Sequence, residues 1–422
     1  VTAALLLVCT ILAHVTSGSA DKLQPLQANQ QPKFIGFHHI EFCCSDAKLA
    51  SMAIASGVGF ELAATSDLST GNEVYNSRVM QSVDVKMVFT APGKLRTNSG
   101  NINHLPHPQY SLLKARKFCN KHIFGVSAVG LRVANVKQCY NNLISGGGKS
   151  ILKPCTIQDV NRSKGSCVMA EVSLYGDVVM RLIDDSNYKG NFLPNYQDMV
   201  PYGTKLGKYG IERMDHVVGN VYSLKKTLNY IKRMTGFHEF AEFTAEDVGT
   251  VDSGLNSCVL ASDNEMILLP VNEPTFGTKR KSQIQTYLEH NQGEGVQHVA
   301  LHTADIFATL RNMKDATAKG GFEFMPGQGA DYYQRVRERV GFKSVTEEQY
   351  KLAEEMGVLI DQDDQGVLLQ IFTKPIGDRP TIFFEIIQRI GCVDTVTGIQ
   401  KPGCGGFGKG NFKDLFKSIE DF

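Results

Sequence analysis

The chain has 422 residues, more than one ordinary hydrophobic core serves, so two domains of roughly 150–200 residues each are expected. Its 42% hydrophobic and 21% charged residues are those of a water-soluble globular protein, and 44 basic against 43 acidic side chains leave almost no net charge. No basic block able to neutralise phosphates occurs, which removes nucleic acid from the expected partners.

Residues 1–32 stand apart. The run Ala3–Ala13 (AALLLVCTILA) is apolar and Ser17-Gly-Ser-Ala20 has the small residues of a cleavage site, as in a secretory signal. The run is shorter than the about 20 residues that cross a bilayer, so no membrane span is expected. This stretch is read as removable or unstructured. Ten cysteines with no C-x-x-C spacing are too sparse for a disulfide scaffold, and the expectation is reduced, structural thiols in a reducing compartment.

From residue 33 onward the chain repeats itself. Residues 37–44 (FHHIEFCC) and 213–220 (RMDHVVGN) both read as strands with a histidine in the middle. Residues 125–133 (GVSAVGLRV) and 295–303 (GVQHVALHT) are apolar strands opened by Gly-Val, each leading into a helix (134–144 and 304–317). Residues 176–183 (GDVVMRLI) and 381–389 (TIFFEIIQR) form a third pair. The spacing agrees: His39 to Ala128 is 89 residues and His216 to His298 is 82. The reading is therefore α+β, with halves 33–200 and 211–422 joined through a Gly- and Tyr-rich segment around Pro201–Gly210. In the second half, helix 222–234 is followed by strands near 237–244, 255–262 and 265–271 and a short helix 281–290. Strand 296–303, helix 304–318 and a strand near 322–325 come next. Two surface helices (332–340 and 346–356) precede strands 366–373 and 381–389, and a last helix covers 412–420.

Side chains alternate faces along a strand. Met214, His216 and Val218 are thus expected on one face, Val296, His298, Ala300 and His302 on another, and Phe383, Glu385, Ile387 and Arg389 on a third. His216, His298 and Glu385 are each the ligand-type residue inside an otherwise apolar strand. A carboxylate buried beside Phe384 and Ile386 costs several kcal/mol unless something neutralises it. A divalent cation would, and two imidazoles with one carboxylate form the facial triad of non-haem Fe(II) oxygenases. The plainer alternative is a set of hydrogen-bonded core histidines with Glu385 paired to Arg389. The repeat argues for the metal in one half only. His39 matches His216, but Ala128 stands where His298 does and no carboxylate matches Glu385, so His38 and His39 are read as structural. His302 lies about 13 Å along its strand from His298 and is given no role.

The segments 295–307 (GVQHVALHTADIF), 253–274 (SGLNSCVLASDNEMILLPVNEP), 366–392 (GVLLQIFTKPIGDRPTIFFEIIQRIGC) and 404–422 (CGGFGKGNFKDLFKSIEDF) closely resemble the 4-hydroxyphenylpyruvate dioxygenase family, in wording nearest to the plant enzymes. The likeness is dense from about residue 210 and thinner over 33–200, for instance at 66–72 (SDLSTGN) and 89–92 (FTAP). It implies the vicinal-oxygen-chelate fold, with tandem βαβββ modules in two curled-sheet domains, the first metal-free and the second catalytic. It puts one Fe(II) per chain on His216, His298 and Glu385. It places Ser257, Asn272, Gln283 and Gln297 as polar groups near the substrate and Gln370 as a further polar contact. Phe372, Phe383 and Phe407 become aromatic walls, and Asn411, Phe412 and Leu415 belong to a closing C-terminal helix, with the glycines at 403–410 as its hinge. For a single phenylalanine, ordinary core packing is the plainer explanation.

The implied reaction converts 4-hydroxyphenylpyruvate and O2 to homogentisate and CO2, a step of tyrosine catabolism. The rivals are 4-hydroxymandelate synthase, which uses the same iron and substrate, and a metal-free binding protein on the same scaffold. A second copy of the chain is the expected partner. The expected location is the cytoplasm, with the chloroplast as alternative, since a secretory route would expose Fe(II) to oxidising conditions.

Overall fold

In the computed structural model, residues 32–93, 105–244, 254–277, 279–396, 398 and 400–411 are described. The signal-like segment and the expected helix 412–420, with Phe412 and Leu415, lie outside them.

The first half begins with β1 (Phe34–Cys43), α1 (Ala47–Val58), β2 (Glu61–Ser66), β3 (Tyr75–Ser82) and β4 (Val85–Pro92). Helix α2 (Leu112–His122) leads to β5 (Gly125–Val133), α3 (Val136–Ser145), β6 (Ser150–Gln158), β7 (Ser166–Tyr175), β8 (Val178–Asp184) and the short β9 (Gln197–Asp198). The second half repeats this with β10 (Ile211–Asn220), α4 (Leu224–Thr235), β11 (His238–Phe243), β12 (Leu255–Ala261) and β13 (Leu268–Pro274). After α5 (Gln283–His290) come β14 (Gly295–Thr303), α6 (Ile306–Thr317), the inserted α7 (Ala330–Val340) and α8 (Glu347–Met356), then β15 (Leu359–Gln362), β16 (Gly366–Phe372) and β17 (Phe383–Gly391). The helix starts follow from local chemistry. Asp46 and Asp305 accept from the backbone N–H three residues on, and Thr346 with Gln349 forms a reciprocal capping box.

Each half is one sheet of two βαβββ modules. In each module the first and last strands pair in parallel (β1 with β4, β5 with β8, β10 with β13, β14 with β17), and the two modules meet through antiparallel first strands. The strand order is β2-β3-β4-β1-β5-β8-β7-β6 in one sheet and β11-β12-β13-β10-β14-β17-β16-β15 in the other, with β9 added at the β2 edge of the first. The duplication read from three segments therefore extends to every strand of both modules. One apolar core runs through both halves on the helix side of the sheets. Separate clusters around Val79, Val88 and Ile183 and around Val259, Leu268 and Ile284 fill out the two halves. Among the described residues no helix is long and apolar enough to cross a membrane.

One expected element differs and one strand is additional. The strand near 322–325 is a single bridge, Phe324 to Thr373, and β15 was not anticipated. β15 contributes only four residues, too few for a pattern to register, and its pairing with β16 supplies the regularity that the local sequence lacks.

The register fixes the equivalence of the halves. His216 opposes Ala300, which opposes Glu385; in the first sheet His39 opposes Gly130, which opposes Arg181. Arg181 thus stands where the second half has a carboxylate. Its guanidinium binds Glu41, meets Glu171 at 2.7 Å and donates to His39 Nε2 at 3.1 Å. Since His39 Nε2 accepts, its Nδ1 carries the proton shared with His38 Nδ1 at 2.6 Å, and both rings are neutral. Burial agrees, pushing His38 down to about 4 and His39 well below its usual range. The His39 ring leaves no room at position 130, where a Cβ would lie 2.4 Å from its Nδ1, so the residue is glycine. An internal cation does here what an ion would do in the other sheet.

Burial alone would raise Glu171, but the Arg181 charge and the hydrogen bonds from His107 and Arg181 hold it down to about 2, against an ordinary 4.5. A carboxylate depressed by folding stabilises the fold above its unfolded value and loses that contribution as pH falls through the folded one. Replacing Arg181 by Leu strands Glu41 and Glu171 and should cost about 3–5 kcal/mol at neutral pH. In denaturant titrations the gap to the unaltered protein should narrow from about pH 5 towards pH 2, as the paired Glu171 protonates.

Candidate active site

Three adjacent strands, β10, β14 and β17, carry His216, His298 and Glu385, whose ligand atoms all lie within 4.8 Å of one another. His216 Nε2 is 3.0 Å and His298 Nε2 3.4 Å from the same oxygen, Glu385 Oε2. All three side chains are nearly buried. Burial would raise the Glu385 pKa, but the facing imidazoles hold it down to about 2, so the group is an anion.

How the two histidines reach this point was not visible in strict alternation. The ladder between β10 and β14 slips by one residue between Met214 and His216, and again opposite Val218 and Gly219, between His298 and Val296. Each slip is a β-bulge, and a bulge turns two successive side chains to one side. Asp215 therefore joins His216, and its Oδ1 accepts from His216 Nδ1 at 2.9 Å. Gln297 joins His298 and accepts from its Nδ1 at 3.0 Å. With Nδ1 engaged, both rings turn Nε2 towards Glu385 Oε2, and an outer partner on Nδ1 is the arrangement typical of metal-bound histidine. The bulges also overturn two sequence assignments: Met214 and Val296 face the apolar core rather than sharing the ligand face. Arg389, offered as a partner for Glu385, instead forms a two-pronged ion pair with Asp215 at 2.7 and 3.0 Å. Four residues along a strand put it beyond reach of Glu385, and Asp215 is the buried anion beside it. The adjacency of Asp215 to His216 was the one available signal for this second layer.

The triad lines a narrow cavity of about 70 Å3. Ser257, Asn272, Gln283, Gln297, Gln370, Phe372, Phe383 and Phe407 all line it. Ser257 and Asn272 sit opposite each other on β12 and β13, Gln283 opens α5, and Gln370 and Phe372 share a face of β16. The Phe383 ring stacks on His298 at 4.9 Å and 20°, while Phe407 meets His216 edge-on at 5.2 Å. Pattern reading had not named Phe243, Leu255, Val259 and Pro270, which complete the apolar wall; they carry no chemistry that would single them out.

Phe407 rides on the glycine-rich loop. Gly408 has φ 75°, and a Cβ there would lie 2.3 Å from the Gln370 amide, so the loop passes directly over the cavity rim. Asn411 does not line the cavity; its Oδ1 accepts from the Tyr332 hydroxyl at 2.7 Å and ties the end of the loop to α7. The expectation of reduced thiols fails at one place: Cys392 and Cys404 form a disulfide across this loop, with Cα atoms 5.9 Å apart. The curl of the loop brings them together, which a 12-residue separation does not reveal. Seven other cysteines among the described residues are free.

No family model matches the chain. Individual relatives do. The 4-hydroxyphenylpyruvate dioxygenase of Daucus carota is 50% identical over 392 residues, 92% of this chain and 86% of that one. The enzyme of the same name from Arabidopsis thaliana is 48% identical over 395 residues, covering 92% and 87%, and that of Pyricularia oryzae is 34% identical over 402, covering 92% and 90%. Among solved structures, a mutant of 4-hydroxymandelate synthase from Streptomyces coelicolor superposes with a TM-score of 0.74 at 21% identity, covering 93% of this chain and 99% of that one, which supports the vicinal-oxygen-chelate fold. With such identity sustained over nearly the whole length, the chain belongs to the 4-hydroxyphenylpyruvate dioxygenase family.

Proposed function

We propose that the chain is an Fe(II)-dependent dioxygenase that converts 4-hydroxyphenylpyruvate and O2 to homogentisate and CO2, with one iron held by His216, His298 and Glu385. The observation that carries this reading is the convergence of two imidazole Nε2 atoms and a buried carboxylate in the lining of one cavity. The donor set fits Fe(II): nitrogen and oxygen ligands on one side leave positions open on the other. The ion would supply a two-point seat for a 2-oxo acid and a site for activating dioxygen. A divalent ion against the single Glu385 charge leaves one positive charge, which the substrate carboxylate cancels. Phe372 and Phe407 would flank the substrate ring, with Phe383 walling one side, and exclude water. Ser257, Asn272 and Gln283 would hold the phenol end, while Gln297 and Gln370 would complete the polar contacts. We assign Asn411, Phe412 and Leu415 to the closing segment, Asn411 acting through its anchor on Tyr332. On this reading residues 33–200 are the metal-free domain and 211–422 the catalytic one, the chain works as a dimer, and it works in the cytoplasm, with the chloroplast as the alternative.

The second reading, 4-hydroxymandelate synthase, is favoured by the structural neighbour. The relatives at 48–50% identity weigh against it. Oxygen uptake with 4-hydroxyphenylpyruvate after anaerobic Fe(II) loading, followed by mass and NMR analysis, separates homogentisate from 4-hydroxymandelate. Glu385→Gln should abolish uptake; turnover retained by that variant would rule out the triad. A chelator should remove activity and lower the melting temperature, because a ligand present at 100 times its Kd stabilises by about 2.7 kcal/mol; restoring Fe(II) should reverse both. Gln283→Ala should leave Fe(II) affinity unchanged while lowering kcat/KM by about 10- to 100-fold, the effect of losing one buried hydrogen bond to the substrate.

A further inference from the structure

We infer that Arg389 is a positioning residue, coupling the seat of the loop that carries Phe407 to the orientation of the metal ligand His216. The inference rests on the metal-centre reading above and extends it to residues outside the cavity.

The Arg389 side chain is fully buried, and so is the Asp215 carboxylate it grips through Nε at 3.0 Å and Nη2 at 2.7 Å. The other edge of the guanidinium belongs to the loop. Nη1 donates to the carbonyls of Cys404 at 2.5 Å and Gly406 at 2.7 Å, and the Arg389 carbonyl accepts from Gln400 at 2.8 Å. The cation lies 5.6 Å from the centroid of the Phe407 ring. Asp215 passes the arrangement on to His216 Nδ1, and the Phe407 ring returns to the His216 ring. The circuit is closed: ligand, carboxylate, guanidinium, loop carbonyls, aromatic wall, ligand. A guanidinium is planar and rigid, so its two donor edges cannot be satisfied independently. If the loop lifts, a buried N–H loses its acceptors, and the guanidinium can follow the carbonyls only by releasing the carboxylate that sets the ring of His216. A mere structural ion pair would stabilise the fold without linking metal affinity to the loop. Arg213 also reaches Asp215, at 2.9 Å, so the carboxylate keeps one cation when Arg389 is altered.

The link can be read from the loop side. Gly406 has φ +74°, and a Cβ there meets only Asp363, at 3.6 Å, so Gly406→Ala strains the loop locally and leaves the core untouched. The probe is Co(II), titrated into metal-free full-length protein and followed by its visible absorption, so that the readout does not depend on turnover. Gly406→Ala should weaken Co(II) binding by about 3- to 10-fold, and Arg389→Lys by about 10-fold, the lower end of what loss of an outer hydrogen-bond partner causes. In the Arg389→Lys background, Gly406→Ala should have no further effect, because the connection is already cut. An equal loss in both backgrounds, or no loss on Gly406→Ala alone, would overturn the proposal. Should Arg389→Lys fail to fold, Asp215→Asn serves as the second background with the same expected outcome, and Gly406→Ala alone still decides. If the unaltered chain takes up no Co(II), the metal centre itself falls; if it does and the loop variant binds equally well, only the coupling falls.

Discussion

A carboxylate in the middle of a β-sheet is the constraint on which the second half of this protein is organised. Glu385 is an anion in a buried place, and among the described residues its ion-pair partners are histidines rather than a lysine or arginine. Its near neighbours are two imidazoles; burial lowers the pKa of both, but at His216 the Glu385 and Asp215 carboxylates outweigh burial and raise it. The strands on either side must therefore bring those rings to one oxygen and set their tautomers. The rest of the site follows from that: bulges that supply Asp215 and Gln297 as acceptors, a cavity above the donors, and an aromatic ring on each side of the histidines.

The first half solves the same electrostatic problem by other means. The strand order, pairing and even the bulge before the histidine are shared, since β1 also slips between Phe37 and His39. There, however, the position of Glu385 is held by Arg181, and carboxylates from β1 and β7 close around it. The outer pair is inverted as well. Where the second half has Asp215 facing Arg389, the first has His38 facing Asp185 at 3.3 Å. One backbone thus supports a set of side chains that could hold an ion and a set with its own cation.

Much of this was legible in the sequence because polar residues inside apolar strands have few reasons to be there. His216, His298 and Glu385 stood out on that ground, and the repeat supplied the comparison with His39 and Ala128. What was not legible depends on pairing between distant strands. A bulge is an extra residue on one strand relative to its partner, so no window of sequence contains it, and the faces of Met214 and Val296 were misassigned accordingly. The alternative that paired Glu385 with Arg389 falls for the same reason, since Arg389 meets Asp215. The disulfide between Cys392 and Cys404 and the short strand β15 likewise exist through contacts that the loop and the neighbouring strand β16 create. The placement of Gln283, Ser257, Asn272 and Phe407 in one cavity rested on likeness to known enzymes, because nothing in their local pattern distinguishes them from ordinary core or turn residues.

The bulges carry an implication of their own. Since Asp215 and Gln297 are chain neighbours of the histidines they orient, each ring brings its acceptor along by covalent attachment. The tautomer of either histidine is then settled by two adjacent residues and one strand pairing, whatever happens on the helix-covered side of the sheet. Deleting the extra residue of either bulge, Asp215 or Gln297, would restore the regular alternation of the ladder and leave the histidine facing the cavity without the acceptor that orients it.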